Sequence, residues 1–430
     1  MQRGFYEVMK AQFFSSLADN ALFVVAVELL RNKGAPEWQQ AALVSVFAVF
    51  YVVLAPVAGA LADRFPKGQV MFASNAIKVF GCLMLLFGDY PLIAYSVVGL
   101  GAAIYAPAKY GILTELLPPS QLVKANGWIE GLTIGSILSG LALGGALVST
   151  NVSDWLSDLD FSQSGFAFAT AITEATAPEI ATACIVPVYL LAAVFNLRIP
   201  HTGVAIQPMP GLRFLLTDFL GCNAVLWRDK LGQISLATTT LFWGAGGPLR
   251  YLVIAWGSAA LGYVVADSTQ LMGLVALGTA IGVIAASLTM SLDNAIDVLP
   301  IGIIMGVTMI AMIFVSQAWV AALFMLLLGA LGGFMVVPMN ALLQHRGHVL
   351  MSAGRSIAVQ NLNEQAGILV FSALSAGLSA MGASVFAVLT TFGLIVGVST
   401  YQIGRQHKAN LRKHPDELTR LLTTARSNKH

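Results

Sequence analysis

The chain has 430 residues, of which 57% are hydrophobic and only 10% charged, with a mean hydropathy of +0.78. This composition excludes an ordinary water-soluble domain, in which about 25% of residues are charged. The net charge of +2 is too small to indicate a nucleic-acid-binding protein, and the three cysteines lack CxxC spacing. The sequence therefore predicts an all-α integral membrane protein, with no metal site or cofactor.

The first apolar stretch, 6–30, resembles a secretory signal peptide in part, but acidic Glu7 lies in the region that should be positive. We therefore expect an uncleaved helix. A helix that crosses the hydrocarbon core needs about 20 apolar residues. Windows of that kind predict twelve transmembrane helices, at 6–30, 40–62, 69–88, 91–116, 122–149, 179–198, 231–258, 265–291, 296–316, 318–343, 356–380 and 383–404.

The twelve spans form two groups of six, which predicts an N-terminal six-helix bundle at 1–198 and a C-terminal one at 231–404. A linker at 199–230 joins them, and a basic tail occupies 405–430. The linker contains the string GLRFLLTDFLGCNAVLW, which favours an amphipathic helix lying on the membrane surface.

Basic residues indicate the orientation, because cytoplasmic loops retain Lys and Arg. They concentrate near both termini, in the linker, and in alternate loops such as the one that holds Arg64 and Lys67. We therefore expect both termini in the cytoplasm. The loop at 149–179 contains no Lys or Arg and several acids, so it should be external.

The two predicted bundles are related by an internal repeat. Pro107 in YAPAKYG and Pro338 in VVPMNAL are 231 positions apart, and the same offset relates Gly101 to Gly332. One offset shared by several helices predicts pseudo-symmetric halves, as in many secondary transporters.

A glycine-containing motif with three charged residues follows the second predicted span. Gly59 permits close helix approach, Asp63 can face the positive end of a helix in the other bundle, and Arg64 and Lys67 hold the loop at the cytoplasmic surface. The motif, GALADRFPKG, resembles the loop signature of the major facilitator superfamily. It is a candidate gate on the cytoplasmic side, the alternative being a solvated turn.

The fifth span carries small residues four apart, which predicts close helix packing, with or without sliding. These residues are Gly127, Gly131, Gly135 and Ser139.

Polar residues inside the spans are the best indicators of function, because each is costly in hydrocarbon. Gln12 and Asp19 lie on one face of the first span, with Asn20 beside them. Arg250 lies 231 positions after Asp19, so the repeat gives the two charges equivalent positions. They can form a structural salt bridge, or a split receptor in which Arg250 binds a phosphate and Asp19 an ammonium.

Other intramembrane residues are further candidates. A helix broken at Pro107 would bring Lys109 into a central cavity, although its side chain could equally snorkel to the cytoplasmic surface. Lys78 and Glu130 can neutralise each other. In the eleventh span a polar face should line the same cavity, and it comprises Gln360, Asn363 and Glu364.

Several longer strings resemble the bacterial lysophospholipid transporters of the major facilitator superfamily. They extend from the first span to the eleventh: LADNALF, YAPAKYGILTELLP, LVKANGWIEG, LFWGAGGPLR, GGFMVVPMNALLQHRG and GRSIAVQNLNEQ. The resemblance implies the major facilitator fold and headgroup contacts for Asp19, Lys109 and Arg250.

The resemblance also implies an activity. Members of that family flip lysophosphatidylethanolamine and related lysolipids from the outer to the inner leaflet of the bacterial inner membrane. A separate acyltransferase on the cytoplasmic side would then restore the diacyl lipid, because the H-x4-D signature of that enzyme class is not found here.

A transporter of a small polar solute or drug is the main alternative. A membrane enzyme is disfavoured because HExxH and G-x-S-x-G are not found, and a non-transporting lipid sensor stays open.

Overall fold

The computed structural model describes residues 3–35, 49–88, 90–149, 177–204, 211–263 and 265–415, together with Gln39, Leu43 and Val46. The predicted external loop at 149–179 therefore lies almost entirely outside the described residues, as does the end of the predicted tail.

The secondary structure of the described residues is helical, as predicted. The helices are α1 Arg3–Asn32, α2 Ala55–Arg64, α3 Lys67–Phe87, α4 Pro91–Leu116, α5 Pro119–Leu147, α6 Ala177–Leu197, α7 Leu212–Arg228, α8 Gly232–Leu261, α9 Val265–Thr289, α10 Leu299–Ala311, α11 Ala318–Leu350, α12 Ala353–Ala380 and α13 Val385–Lys413. Two 3₁₀ segments, Leu292–Val298 and Met312–Phe314, flank α10.

Within the described ranges, nine helices are long and apolar enough to cross a membrane, judged by length and composition. Two more helices, α8 with 30 residues and α12 with 28, lie where the seventh and eleventh spans were predicted. The second predicted span is described continuously only from residue 49 onward, and α2 forms its end.

The two repeat-related prolines lie inside continuous helices. Helix α4 passes through Pro107, and α11 passes through Pro338. The predicted break at Pro107 is therefore wrong. A proline removes one backbone hydrogen bond and bends a helix, but in a membrane protein the neighbouring groups can satisfy the freed carbonyl and the helix continues.

The chain forms two compact units. Unit 1 comprises Met1–Ile112 and Leu132–Met209, and unit 2 comprises Leu113–Gly131 and Pro210–His430. The end of α4 and the first part of α5 therefore belong to unit 2.

In unit 1, α6 packs against both α1 and α3, and α5 approaches α1 through glycines one turn apart. A Cβ atom at Gly140 would lie 2.5 Å from the Leu17 carbonyl oxygen, and one at Gly144 would lie 2.6 Å from that of Ala21. Only glycine allows two helices to come this close. The approach holds the segment of α1 that carries Asp19 against α5.

The predicted stripe of small residues on α5 is only partly a packing surface. A Cβ atom at Gly127 would collide with Ser287 of α9, but Gly135 has no atom within 4 Å of that position. Ser139 is exposed. The close contact with α1 uses Gly140 and Gly144 instead, which have the same four-residue spacing, so spacing alone could not distinguish the two stripes.

In unit 2, α9 and α11 pack through glycines on both helices. Added Cβ atoms at Gly278 and Gly282 would collide with the backbone of α11, and those at Gly329 and Gly333 would collide with that of α9. Such backbone contact replaces the side-chain interlocking found between soluble helices.

The linker contains a helix, α7, as predicted, and polar contacts attach it to α12. The Arg355 Nε and Asp218 Oδ2 atoms are 3.1 Å apart. Asn363 donates to Asn223 Oδ1 at 2.9 Å and accepts from Trp227 Nε1 at 3.1 Å. Asn363 therefore binds the linker helix, whereas Gln360 and Glu364 bond to each other.

Helix α13 continues past the predicted end of the bundle at Gly404 and ends at Lys413. Asn410 is buried in this extension, and its side chain donates to the Lys230 carbonyl oxygen at 3.4 Å. The first part of the predicted tail is thus a helix that contacts the short connection between α7 and α8.

Candidate functional site

The Asp19 carboxylate joins three helices of unit 1. Its Oδ2 atom lies 2.8 Å from Lys78 Nζ on α3, and its Oδ1 atom accepts a hydrogen bond of 2.7 Å from the Tyr189 hydroxyl on α6. Both oxygens of the carboxylate are therefore bound by neighbouring helices.

Lys78 is enclosed, whereas Asp19 is accessible. The Lys78 side chain is 1% exposed and the Asp19 side chain 20%. The Lys78 ammonium also donates to Ser15 Oγ at 3.0 Å and lies 5.1 Å from the ring centre of Tyr105 and 5.6 Å from that of Tyr189. A ligand that enters this site can reach the carboxylate but not the ammonium.

Glycine at position 101 makes room for Lys78. A Cβ atom there would lie 2.8 Å from Lys78 Cγ and 2.7 Å from the Ser74 carbonyl oxygen. Helix α4 therefore packs directly on the aliphatic stem of Lys78, which fixes the direction of the ammonium toward α1.

Two buried donors beside this pair have no hydrogen-bond partner among the described residues. Ser15 Oγ donates to Asn75 Oδ1 at 2.8 Å, but Asn75 Nδ2 and the Tyr105 hydroxyl are unpaired. Buried donors are normally satisfied, by protein, water or ligand. These two groups can therefore donate hydrogen bonds to a water molecule or to an acceptor atom of a substrate.

The other predicted residues of α1 share its polar face with Asp19 but bind different partners. Gln12 donates to Thr133 Oγ1 of α5 at 3.3 Å, and Asn20 donates to the Ser16 carbonyl oxygen one turn earlier in α1 at 2.8 Å. Gln12 is buried. Both side chains line the polar face around Asp19 without contacting its carboxylate.

The ion-pair partner of Asp19 differs from the one expected for Lys78. The sequence favoured a pair of Lys78 with Glu130, whereas the structure brings Lys78 to Asp19. The signal was available, because Lys78 is a basic residue inside a predicted span and must have a counter-ion there. Which acid it contacts depends on the rotation of α3 about its axis, and the sequence does not give that rotation. Glu130 itself is buried in α5.

Lys109 is buried in α4, and its ammonium lies 3.9 Å from the ring centre of Tyr110.

Unit 2 contains its own polar group at the predicted position in α12. Gln360 Nε2 donates to Glu364 Oε1 at 2.8 Å and to Asn340 Oδ1 of α11 at 3.0 Å. Asn340 is the repeat equivalent of Lys109, 231 positions earlier. The backbone of Arg250 is in α8, while its side chain lies outside the described part of the structure.

Two further polar pairs of unit 2 were not predicted. Asn126 and Gln344 exchange hydrogen bonds in both directions, each of 2.8 Å, and both are buried. Arg346 binds the Asp229 carboxylate with two bonds, of 2.6 and 3.1 Å. They tie α5 and the residue after α7 to α11.

The predicted gate motif bridges α2 and α3. Lys67 Nζ lies 3.7 Å from Asp63 Oδ1, and both side chains are buried, at 6% and 4% exposure. Arg64 is exposed and lies over the Phe65 ring. A Cβ atom at Gly68 would lie 2.9 Å from the Asn196 carbonyl oxygen, so the motif packs against the end of α6.

The sequence and the fold of this chain are similar to those of known proteins. The profile of the Major Facilitator Superfamily matches residues 8–372. The chain belongs to this superfamily. The lysophospholipid transporter LplT of Yersinia enterocolitica is 39% identical over 90% of each chain. That of Pectobacterium carotovorum is also 39% identical, over 90% of this chain and 89% of its own. These matches confirm the resemblance stated from the sequence strings.

Solved structures of superfamily members share the fold. A variant of the fucose:proton symporter FucP of E. coli aligns with a TM-score of 0.72 at 12% identity, covering 94% of this chain and 98% of its own. The human organic anion transporter MFSD10 aligns with a TM-score of 0.68 at 15% identity, covering 94% and 100%. The superfamily and the named relatives are transporters, which confirms that the chain is not an enzyme.

Proposed function

We propose that this chain carries lysophosphatidylethanolamine and related lysolipids from the outer to the inner leaflet of the bacterial inner membrane, with both termini in the cytoplasm. The similarity to lysophospholipid transporters over 90% of the chain supports the substrate class. A separate cytoplasmic acyltransferase would use the delivered lysolipid.

The observation that carries the proposal is the accessible carboxylate of Asp19 in the apolar interior of unit 1. Lys78 neutralises this carboxylate from its buried side, and Tyr189 fixes its orientation. The edge that remains exposed can accept hydrogen bonds from a primary ammonium. A carboxylate bound to an ammonium in a site of low dielectric forms a strong charge-assisted hydrogen bond.

The phosphate of the headgroup requires a donor set of its own. We propose Arg250 for this role, because the repeat gives it the position equivalent to that of Asp19 and its planar fork matches two phosphate oxygens. Lys109, Gln12, Asn20, Glu130, Gln360 and Glu364 are the further substrate-contact residues of the proposal. Gly59, Asp63, Arg64 and Lys67 form the proposed gate for alternating access.

The acyl chain would pass through the lipid beside the helices, because transfer of a long apolar chain into an aqueous cavity is unfavourable. A transporter of a small polar solute has no such requirement. Flux of an intact lysolipid therefore separates the two candidate functions.

The test is uptake of labelled lysophosphatidylethanolamine into proteoliposomes, measured as label that external albumin can no longer extract. Wild-type protein should protect the label faster than protein-free vesicles do. The control is Arg31→Gln, which changes a side chain that is 74% exposed and should leave flux unchanged. Protection no faster than in empty vesicles, with folded protein present, would refute the proposed substrate.

A further inference from the structure

A charged cavity separate from the Asp19 site lies in unit 1, where the first turns of α1 meet the residues that follow α6. Its volume is about 510 Å³, and its lining residues are Arg3, Gly4, Glu7, Arg198 and Pro200. Cavities of roughly 300–1,000 Å³ are the usual size of small-ligand sites. The basic residues around it predict that this end of the unit is cytoplasmic.

Glu7 lines this cavity, and one oxygen of its carboxylate has no donor among the described residues. Its Oε1 atom binds Lys10 Nζ at 2.9 Å, whereas Oε2 is buried and has no hydrogen-bond partner among the described residues. Glu7 as a whole is only 8% exposed. A buried carboxylate oxygen without a donor is unfavourable, so this atom indicates a missing N–H or ammonium group.

Arginine side chains provide the opposite charge at the cavity mouth. Arg3 and Arg198 are both exposed. The Arg198 guanidinium lies 5.7 Å from the ring centre of Phe195, and that ring stacks on Phe14 with the same 5.7 Å separation. The aromatic ring limits where the guanidinium can lie. Guanidinium groups bind phosphate oxygens in pairs, so this mouth suits a phosphodiester.

We propose that the cavity binds a phosphoethanolamine group, with its ammonium on Glu7 Oε2 and its phosphate between Arg3 and Arg198. At the edge of a membrane the source of this group is a diacyl phosphatidylethanolamine of the adjacent leaflet. The site is separate from Asp19 and does not depend on the proposed transport activity. Because Oε2 needs a hydrogen-bond donor, a primary ammonium should bind and a quaternary choline should bind poorly.

The test is native mass spectrometry of the delipidated full-length protein, titrated separately with phosphatidylethanolamine, phosphatidylcholine and phosphatidylglycerol of identical acyl chains. We expect phosphatidylethanolamine to bind about tenfold more tightly than the other two lipids. The reason is that the other two lack an ammonium N–H that can donate a hydrogen bond to Glu7, and one hydrogen bond to a charged group changes affinity by about that factor. Equal affinities for the three lipids would overturn the proposal.

Substitutions then test which end of the headgroup each residue binds. Glu7→Gln can still accept from Lys10 but presents an amide N–H toward the cavity, so the preference for phosphatidylethanolamine should disappear. Arg198→Gln should weaken all three lipids, since each carries the phosphate. Arg31→Gln, at the other end of α1, is the matched control. If Glu7→Gln fails to fold, Glu7→Asp retains the charge and withdraws it by one methylene, and should reduce the same preference. An unchanged preference in the folded Glu7 variant would refute the ammonium site.

A soluble arm identifies the source of the headgroup. Glycerophosphoethanolamine has the same charged groups without acyl chains, and it should compete with phosphatidylethanolamine only at far higher concentration. Competition at equal concentration would instead assign the cavity to a soluble phosphodiester and overturn the lipid assignment. Lysolipid flux is not a readout of this experiment, so a failure of the transport proposal cannot be confused with a failure here.

Discussion

Substitutions of Asp19 and Lys78 should separate a structural ion pair from a substrate receptor. The pair is 2.8 Å apart, and its two members differ in exposure, with Lys78 at 1% and Asp19 at 20%. Asp19→Asn leaves the ammonium without a counter-charge, whereas Lys78→Met leaves a carboxylate that water can partly reach. We therefore expect Asp19→Asn to destabilise the protein more than Lys78→Met does.

The magnitude follows from the burial of each charge. Removal of one member of a buried ion pair costs about 3–5 kcal/mol, chiefly because the other charge remains buried and unpaired. Asp19→Asn should lie near the upper end of this range. Lys78→Met should lie near or below the lower end, because water and the Tyr189 hydroxyl still reach the carboxylate. The double variant Asp19→Asn with Lys78→Met removes both charges and should recover most of the stability, since neutral replacement of a buried pair is often tolerated.

The assay measures the melting temperature of purified protein in detergent alongside lysophosphatidylethanolamine flux per folded molecule. If Asp19 binds the ammonium, the stable double variant should be inactive. Asp19→Asn should also impair the zwitterionic lysolipid more than lysophosphatidylglycerol. Full flux in the double variant, or in the reversed pair Asp19→Lys with Lys78→Asp, would show that the carboxylate serves only the fold.

Three further predictions concern other parts of the chain. Asp63→Asn breaks the 3.7 Å pair with Lys67, so it should lower flux and shift cysteine accessibility toward the cytoplasm-open form. Unchanged cysteine labelling on both sides of the membrane would contradict the proposed gate. Arg250→Lys keeps the charge but loses the planar fork, so most of the flux should be lost at normal folded yield, and wild-type flux would refute bidentate phosphate binding. Truncation after His414 should leave flux per folded molecule unchanged, whereas truncation after Gly404 removes the buried Asn410 contact with Lys230 and should lower folded yield. Equal yields from the two truncations would show that the end of α13 does not support the fold.

The helical fold could be predicted because membrane burial imposes a simple pattern on sequence. Apolar windows located most helices within a few residues, since a membrane span has few alternatives to a continuous helix. The amphipathic pattern of the linker likewise placed α7. Neither pattern could give the end of α13, because residues 405–413 are basic and a helix that leaves the membrane no longer needs to be apolar.

The candidate site could be predicted in part. Burial cost identified Asp19, Lys78, Lys109 and Glu364 as residues that need partners, and it also indicated a polar face on α1. Their partners depend on helix rotation and on which glycines allow close approach. Tyr189 had no signal of its own, because a tyrosine in an apolar helix becomes a ligand of Asp19 only when α6 packs on α1.

The internal repeat relates the backbones of the two halves but not their counter-ions. Lys78 plus the 231-position offset gives Met309, an apolar residue, so the second half does not reproduce the lysine that neutralises Asp19. Glycines and prolines recur at this offset, as in Gly101 and Gly332, whereas Asp19 corresponds to Arg250 and the charges therefore differ. Asp19 has its neutralising partner within unit 1. The second-half residue that corresponds to Lys78 is apolar, so the repeat supplies no acid as a partner for Arg250. We therefore expect an anionic group of the substrate to neutralise Arg250.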